Sequence, residues 1–224
     1  LHLPRCMGKW CNSSNFQKGD ANSPSNYRGI TLVNTMGKIF SLVLRNRLNT
    51  WGEQENIFND SQYGFRDGRS TADAIFVLHS IIQKVLAKKS KLWCTFIDYQ
   101  RAFDTVNRDA LGIKLIQSGI SCKLTKMIKC IYNNVQSCVK VSNTMKMSDF
   151  FDVTVGLKQG EPLSPLLFIL FINDITENID LNSLAEKDYD LLSNKFRVGR
   201  QALFFIMNNK GCEAVDNYLG SLLA

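Results

Sequence analysis

The sequence predicts an α+β fold, because helices, one strand, two more helices, a hairpin and a last helix succeed one another without a regular βαβ alternation. Three observations carry that reading. Apolar residues recur at helical spacing over Ile39–Leu48 and again over Ala74–Leu86. A short apolar run, Leu92 to Ile97, reads as a strand and ends on Asp98. Two further runs, Val135–Val141 and Phe150–Val155, flank a Ser142–Thr144 turn and read as a hairpin.

In chain order, residues 1–26 are polar and irregular, with Pro4, Pro24 and the run NSSN, and are expected to be a poorly anchored entry segment. From Ile30 to Leu48 a helix is expected, with Ile39, Leu42, Val43, Leu44 and Leu48 on its apolar side. A loop from Gly52 to Gly68 follows. Ser70 or Thr71 then caps a helix whose stripe is Ala74, Ile75, Leu78, Ile81, Ile82, Val85 and Leu86, with Asp73 placed to favour the positive end of the dipole. The lysines at 88–91 read as its solvated end. Helices are expected over Arg108–Gln117, closed by Gly119, and over Ser121–Asn133. Gly156–Pro165 is a turn-rich loop entering an apolar helix from Leu166, and no clear period persists beyond Ile175.

The 224 residues are 45% hydrophobic and 21% charged, enough to bury a core, and the net charge of +7 favours anionic partners such as nucleic acid. Seven cysteines, at 6, 11, 94, 122, 130, 138 and 212, form no C-x-x-C pair. Their odd count argues for a reducing compartment over a disulfide framework. His2, Cys6 and Cys11 are a less favoured zinc alternative. The longest apolar run, Leu166–Ile172, falls short of the ~20 residues of a membrane span, so no membrane is expected. No secretory leader is evident, and a start at Leu1 rather than Met is what a piece of a longer polyprotein would show.

Four strings could carry chemistry. In FIDYQRAFD (Phe96–Asp104), Asp98 stands at a strand end, where a carboxylate suits a hard cation; a plain turn aspartate is the alternative. In GLKQGEPLSP (Gly156–Pro165), Gly160 permits close backbone approach and Gln159 offers a planar amide to a base or sugar; an ordinary loop is the alternative. In SNYRGITL (Ser25–Leu32), Arg28, with Lys18 upstream, could clamp a triphosphate, or both could be surface cations. In QYGFRDGRSTADA (Gln62–Ala74), Arg66 and Arg69 precede a helix N-terminus, a setting that suits phosphate.

Taken in order, NYRGITL, QYGFRDGRST, FIDYQRAFDTV and GLKQGEPLSPLLFILFINDI resemble the reverse transcriptases of non-LTR (LINE-type, jockey-like) retrotransposons, over about Lys18–Ile175. The resemblance implies a right-hand polymerase fold with fingers and palm, incomplete at its C-terminal end. Residues 1–90 would be N-terminal extension and fingers, 91–180 the palm with the first catalytic strand and the template and nucleotide loop, and 181–224 a divergent or truncated palm end. It implies an RNA template, a DNA primer and dNTP as partners, and Mg2+ or Mn2+ as cofactor for two-metal phosphoryl transfer. Protein partners are left unknown by it.

By the same resemblance, Asp98 is the catalytic metal ligand, helped by the carbonyl of Tyr99. Phe103 excludes a 2′-hydroxyl, Gln159 and Gly160 line the nucleotide and template base, Arg28 and Lys18 hold the triphosphate, and Arg66 and Arg69 touch template backbone. An intracellular residence follows, and a nuclear one would suit an element priming on chromosomal DNA, although no targeting signal is evident.

One required element is missing. The resemblance calls for an aromatic, any residue and two adjacent aspartates, and the chain contains no Asp-Asp pair. At the corresponding distance stands LFFIMNNKG, where Asn208 and Asn209 would occupy the place of the aspartates; an equal alternative is a frameshift or splice after Asp180, which the aperiodic stretch Leu181–Arg200 favours. Amide oxygens are neutral. Losing a charged ligand costs several kcal/mol of charge stabilisation, on the order of thousands-fold in rate, so activity is expected to be negligible. The competing reading is a non-catalytic nucleic-acid-binding or interaction remnant that keeps the fold.

Overall fold

The computed structural model describes residues 9–16, 20, 22–23, 26–89, 92–97, 99, 101–133, 135–140, 147–175 and 203–208. These fall into two compact units, one from Leu1–Asn59 with Ala102–Asn173, the other from Asp60–Arg101 with Asp174–Ala224. The fold is mixed α+β, as the succession of elements predicts.

The first unit opens where the sequence predicts irregular chain. Strand β1 (Lys9–Phe16) pairs antiparallel with β2 (Tyr27–Leu32) and parallel with β4 (Gln136–Lys140), and β4 pairs antiparallel with β5 (Phe151–Asp152). The order is β2-β1-β4-β5, so β1 lies between two partners. KWCNSSNF carries little local strand preference. Its state is set by pairing with a segment more than a hundred residues away, and local pattern cannot reveal such a context. The β4–β5 hairpin is present, while the expected turn at 142–144 lies outside the described residues.

Helix α1 (Thr35–Gln54) starts later than predicted, because Ile30 to Leu32 belong to β2, and Asn34 caps it by accepting from the Gly37 N–H at 2.6 Å. It also runs on through Gly52. A Cβ there would lie 2.6 Å from the Phe58 ring, so the glycine lets the following chain fold its aromatic against the helix. Asn107 and Ser121 cap α3 (Arg108–Gln117) and α4 (Cys122–Tyr132), and α3 packs against α4 and α5 (Ser164–Ile172). Helix α5 is apolar on every side and correspondingly buried from Leu166 to Leu170. Leu44 and Leu48 of α1, Leu111 and Leu115 of α3 and Ile128 of α4 complete the core.

The second unit holds α2 (Thr71–Ala87) and a two-stranded ladder of β3 (Leu92–Ile97) with β6 (Leu203–Asn208). A capping box starts α2: the Ser70 hydroxyl accepts from the Asp73 N–H, and the Asp73 carboxylate accepts from the Ser70 N–H at 2.7 Å. Of its predicted stripe Ile81 is buried, whereas Ile75 and Leu86 are exposed. The ladder is antiparallel, with Ile97 opposite Leu203 and Leu92 opposite Asn208. Among the described residues no helix is long and apolar enough to cross a membrane.

Candidate functional site

The loop that joins β5 to α5 is held by backbone first. Its entry bends at Gly156, with φ of +84°, where a Cβ would stand 2.6 Å from the Asp104 carbonyl oxygen. The Gly156 N–H donates to Val106 O at 2.9 Å and the Leu157 N–H to Phe103 O at 2.7 Å. At the turn itself Gly160 has φ of +103°, and a Cβ there would come within 2.9 Å of Thr31 O. Glycine is needed at both places because L side chains rarely take positive φ and because other backbone fills the space.

Those bonds bring several predicted residues together. The Thr31 N–H of β2 donates to Gln159 O at 2.7 Å, so the strand that bears Arg28 is tied to the loop. Side chains alternate along a strand, so Arg28 shares the face of Ile30, whose Cγ2 lies 3.6 Å from the position of a Gly160 Cβ. Arg28 is exposed. The Gln159 amide donates to the Asp104 carboxylate at 2.9 Å. Phe103 stacks obliquely on Phe168 of α5, ring centroids 4.9 Å apart. Phe103, Asp104, Gln159 and Gly160 thus form one neighbourhood of the first unit, and Arg28 stands three residues along β2 from the Thr31 that is tied to it.

Beneath the loop lies a polar network that the sequence reading did not single out. Glu161 is only 2% exposed. One carboxylate oxygen accepts from the Ser41 hydroxyl at 2.7 Å, the other from the Tyr132 hydroxyl at 2.7 Å and the Ser164 hydroxyl at 3.2 Å. Burial, then the Glu161 charge, pushes the Tyr132 phenol well above its ordinary range, so it remains a donor. Lys158 is also buried. Its ammonium donates to Ile131 O at 3.1 Å and lies 4.7 Å from the centre of the Tyr132 ring. Burial lowers its pKa to about 7, an effect that Glu161 opposes and Arg108 assists.

Arg108 closes the arrangement by donating to Gly156 O at 2.9 Å, Tyr132 O at 3.0 Å, Val153 O at 2.6 Å and Val155 O at 3.1 Å. The available signal was the spacing of Lys158 and Glu161 on either side of Gln159-Gly160, two charges just before an apolar helix.

In the second unit Arg66 and Arg69 both turn to one carboxylate. Arg69 Nη2 lies 3.0 Å and Arg66 Nη1 3.9 Å from Asp60 Oδ1, and Arg69 also donates to Asp60 O and lies 5.6 Å from the Tyr63 ring centre. Tyr99 is half-buried, and burial, then the Asp174 charge, raises its phenol. Lys18, Asp98 and Asn209 lie outside the described residues. Asn208 ends the β3–β6 ladder opposite Leu92, five residues along from the Ile97–Leu203 pair that adjoins position 98.

Among the described residues no group of three His, Cys, Asp or Glu side chains is placed to hold a metal ion. The Asp104 carboxylate beside the loop is engaged by Gln159.

Comparison with known proteins shows the family and the fold. Residues 16–193 match the family model described as reverse transcriptase (RNA-dependent DNA polymerase). The chain is 31% identical over 153 residues to the "Probable RNA-directed DNA polymerase from transposon BS" of Drosophila melanogaster, covering 68% of this chain and 17% of that protein. It is 29% identical over 157 residues to the corresponding X-element protein of the same fly, covering 69% and 17%. It is 28% identical over 160 residues to the RNA-directed DNA polymerase of mobile element jockey from Drosophila funebris, covering 71% and 17%.

The matched stretch is thus about a sixth of these relatives. Among solved structures, a telomerase from Candida tropicalis truncated of its C-terminal domain shares the fold, with a TM-score of 0.56, 15% identity, and coverage of 100% of this chain and 47% of that one.

Proposed function

Because this chain belongs to the reverse transcriptase (RNA-dependent DNA polymerase) family, with a domain related to those of non-LTR retrotransposons, we propose that it is the fingers and palm of such a polymerase, defective in the chemical step. Residues 1–90 serve as extension and fingers, 91–180 as palm, and 181–224 as a divergent palm end. Arg28, with Lys18, faces the triphosphate of a dNTP; Gln159 and Gly160 line the nucleotide and template base, and Phe103 lies under the sugar. Arg66 and Arg69 contact template backbone. The support for this division of labour is the bond from Thr31 to Gln159, which ties the strand of Arg28 to the nucleotide loop.

The defect rests on a single observation: the chain has no adjacent pair of aspartates. Asp98, with the Tyr99 carbonyl, is the one family ligand it keeps. Mg2+ or Mn2+ would supply charge neutralisation and an activated primer oxygen. Among charged ligands the chain offers one carboxylate for that task.

Primer extension on an RNA template with Mg2+ or Mn2+ tests the proposal, and no dNTP incorporation above background is expected. Robust incorporation that disappears in Asp98→Ala would overturn the claim of a defect. A second reading, nucleic-acid binding without chemistry, is favoured by the net charge of +7. It predicts salt-dependent retention of an RNA–DNA hybrid by a chain that does not extend it.

A further inference from the structure

We propose that Glu161 is the positioning residue of the nucleotide loop, acting through Gln159 and Gly160 rather than touching nucleotide itself. The proposal rests on reading those two residues as nucleotide- and template-facing. Its own support is geometric. A carboxylate 2% exposed is costly to bury unless each oxygen is hydrogen-bonded, and here both are. The donors come from three separate helices: Ser41 of α1, Tyr132 of α4 and Ser164 of α5. One side chain therefore fixes the residue after Gly160 against all three.

Two residues back, Gln159 O receives the Thr31 N–H and the Gln159 amide reaches Asp104. Gly160, between them and Glu161, adopts a φ of +103°, and Thr31 O stands 2.9 Å from where its Cβ would be, so β2 flanks the turn closely. A displacement of Glu161 must then pass into Gln159. The network is a buried one, so loss of acceptors leaves unpaired hydroxyls that no water replaces.

Amide hydrogen exchange on the full chain tests this, comparing wild type with Glu161→Gln, Glu161→Met and Ser41→Ala. Gln keeps one acceptor oxygen, Met keeps the volume with none, and Ser41→Ala removes a single bond from an otherwise intact fold. The Thr31 amide, which reports on Gln159 O, is expected to exchange about threefold faster in Ser41→Ala and Glu161→Gln and at least about tenfold faster in Glu161→Met. Amides inside α3 and α5 are expected to stay within about twofold of wild type. Thr31 protection in Glu161→Met equal to wild type overturns the proposal, as does acceleration by one common factor throughout the first unit.

Fluorescence anisotropy with a labelled RNA–DNA template-primer and dNTP supplies the functional arm. Glu161→Met combined with Gln159→Ala should bind no more weakly than Gln159→Ala alone, since both act through one contact. Additive losses count against action through Gln159. If wild type and Gln159→Ala bind equally, it is the nucleotide-facing reading that fails, and the exchange measurement alone then decides whether Glu161 positions the loop.

Discussion

The Gly156–Pro165 loop and the β3–β6 ladder carry the two halves of one expected chemistry, and they are built in different ways. The loop is tied by backbone to β2 and to the 103–106 segment, clamped by Arg108, and underlain by Lys158, Tyr132 and Glu161. The ladder is two strands of six residues each, paired register by register. A two-stranded ladder has marginal stability on its own, whereas a loop crossed by side-chain bonds from several helices has few conformations to choose among. The loop, proposed to handle nucleotide, is thus specified by many residues at once. The ladder, proposed to border the metal site, depends on which few side chains sit at the ends of two strands.

The largest test falls on the ladder. With the register as found, Leu203 rather than Asn208 is opposite Ile97. Five residues at about 3.4 Å each separate Asn208 from that end. Asn208→Asp together with Asn209→Asp is therefore expected to give no gain in primer extension, which should stay at least about a thousandfold below a family polymerase with both aspartates. A measurable gain would mean that the two asparagines do occupy the metal site, and the contrast between the two regions would shrink to one of charge.

The next test strikes the loop at its tightest point. Gly156→Ala must place a Cβ 2.6 Å from the Asp104 carbonyl oxygen at φ of +84°, and the obstacle is backbone. A loss of about 2–4 kcal/mol in urea denaturation is expected. Gly160→Ala, at 2.9 Å from Thr31 O, should cost less, about 1–3 kcal/mol. Equal and negligible losses would show the loop to be far more yielding than its bonds indicate.

Much of this was legible in the sequence, and the illegible part has a physical cause. Gly160 and Gln159 stand out because a glycine between a polar residue and prolines has few purposes. The anchor beneath them does not, because Ser41 and Glu161 are 120 residues apart and Tyr132 and Glu161 are 29 apart. Only the fold makes them neighbours. Likewise β1 reads as loop because KWCNSSNF acquires its strand state from β2 and β4 on either side. The capped helix α2 is legible because cap and stripe are local.

Lys158 allows a smaller test of how dry the loop's underside is. Below about pH 7 the lysine carries its proton both folded and unfolded, and the fold bears the cost of a buried charge. Between pH 7 and 10.5 the unfolded chain holds the proton and the folded chain releases it, so stability rises with pH. Relative to Lys158→Met, wild type should gain about 2–3 kcal/mol from pH 7 to pH 9. Parallel stability curves for the two proteins would mean that solvent reaches the ammonium. Above pH 10 the raised phenol of Tyr132 works in the opposite direction, since the unfolded chain then ionises first and stability falls.

The smallest effect belongs to the second unit. Asp60 holds Arg66 and Arg69 through a carboxylate whose side chain is 84% exposed. The Arg66 and Arg69 side chains are 8% and 26% exposed, but their shared carboxylate reaches solvent, which screens both pairs; Asp60→Asn should therefore cost about 1 kcal/mol and lower the melting temperature only slightly. Its effect should appear in binding. With the carboxylate neutralised, Arg69 keeps its bond to the Asp60 carbonyl and its place beside Tyr63, so it stays positioned while its charge is no longer offset. An RNA–DNA hybrid should then bind about two- to fivefold more tightly at low salt, with a steeper fall in log Kd against log salt. Arg69→Ala should reverse both changes. An Asp60→Asn chain with unaltered affinity and slope would place template contact on other cations and remove this pair from the proposed binding surface.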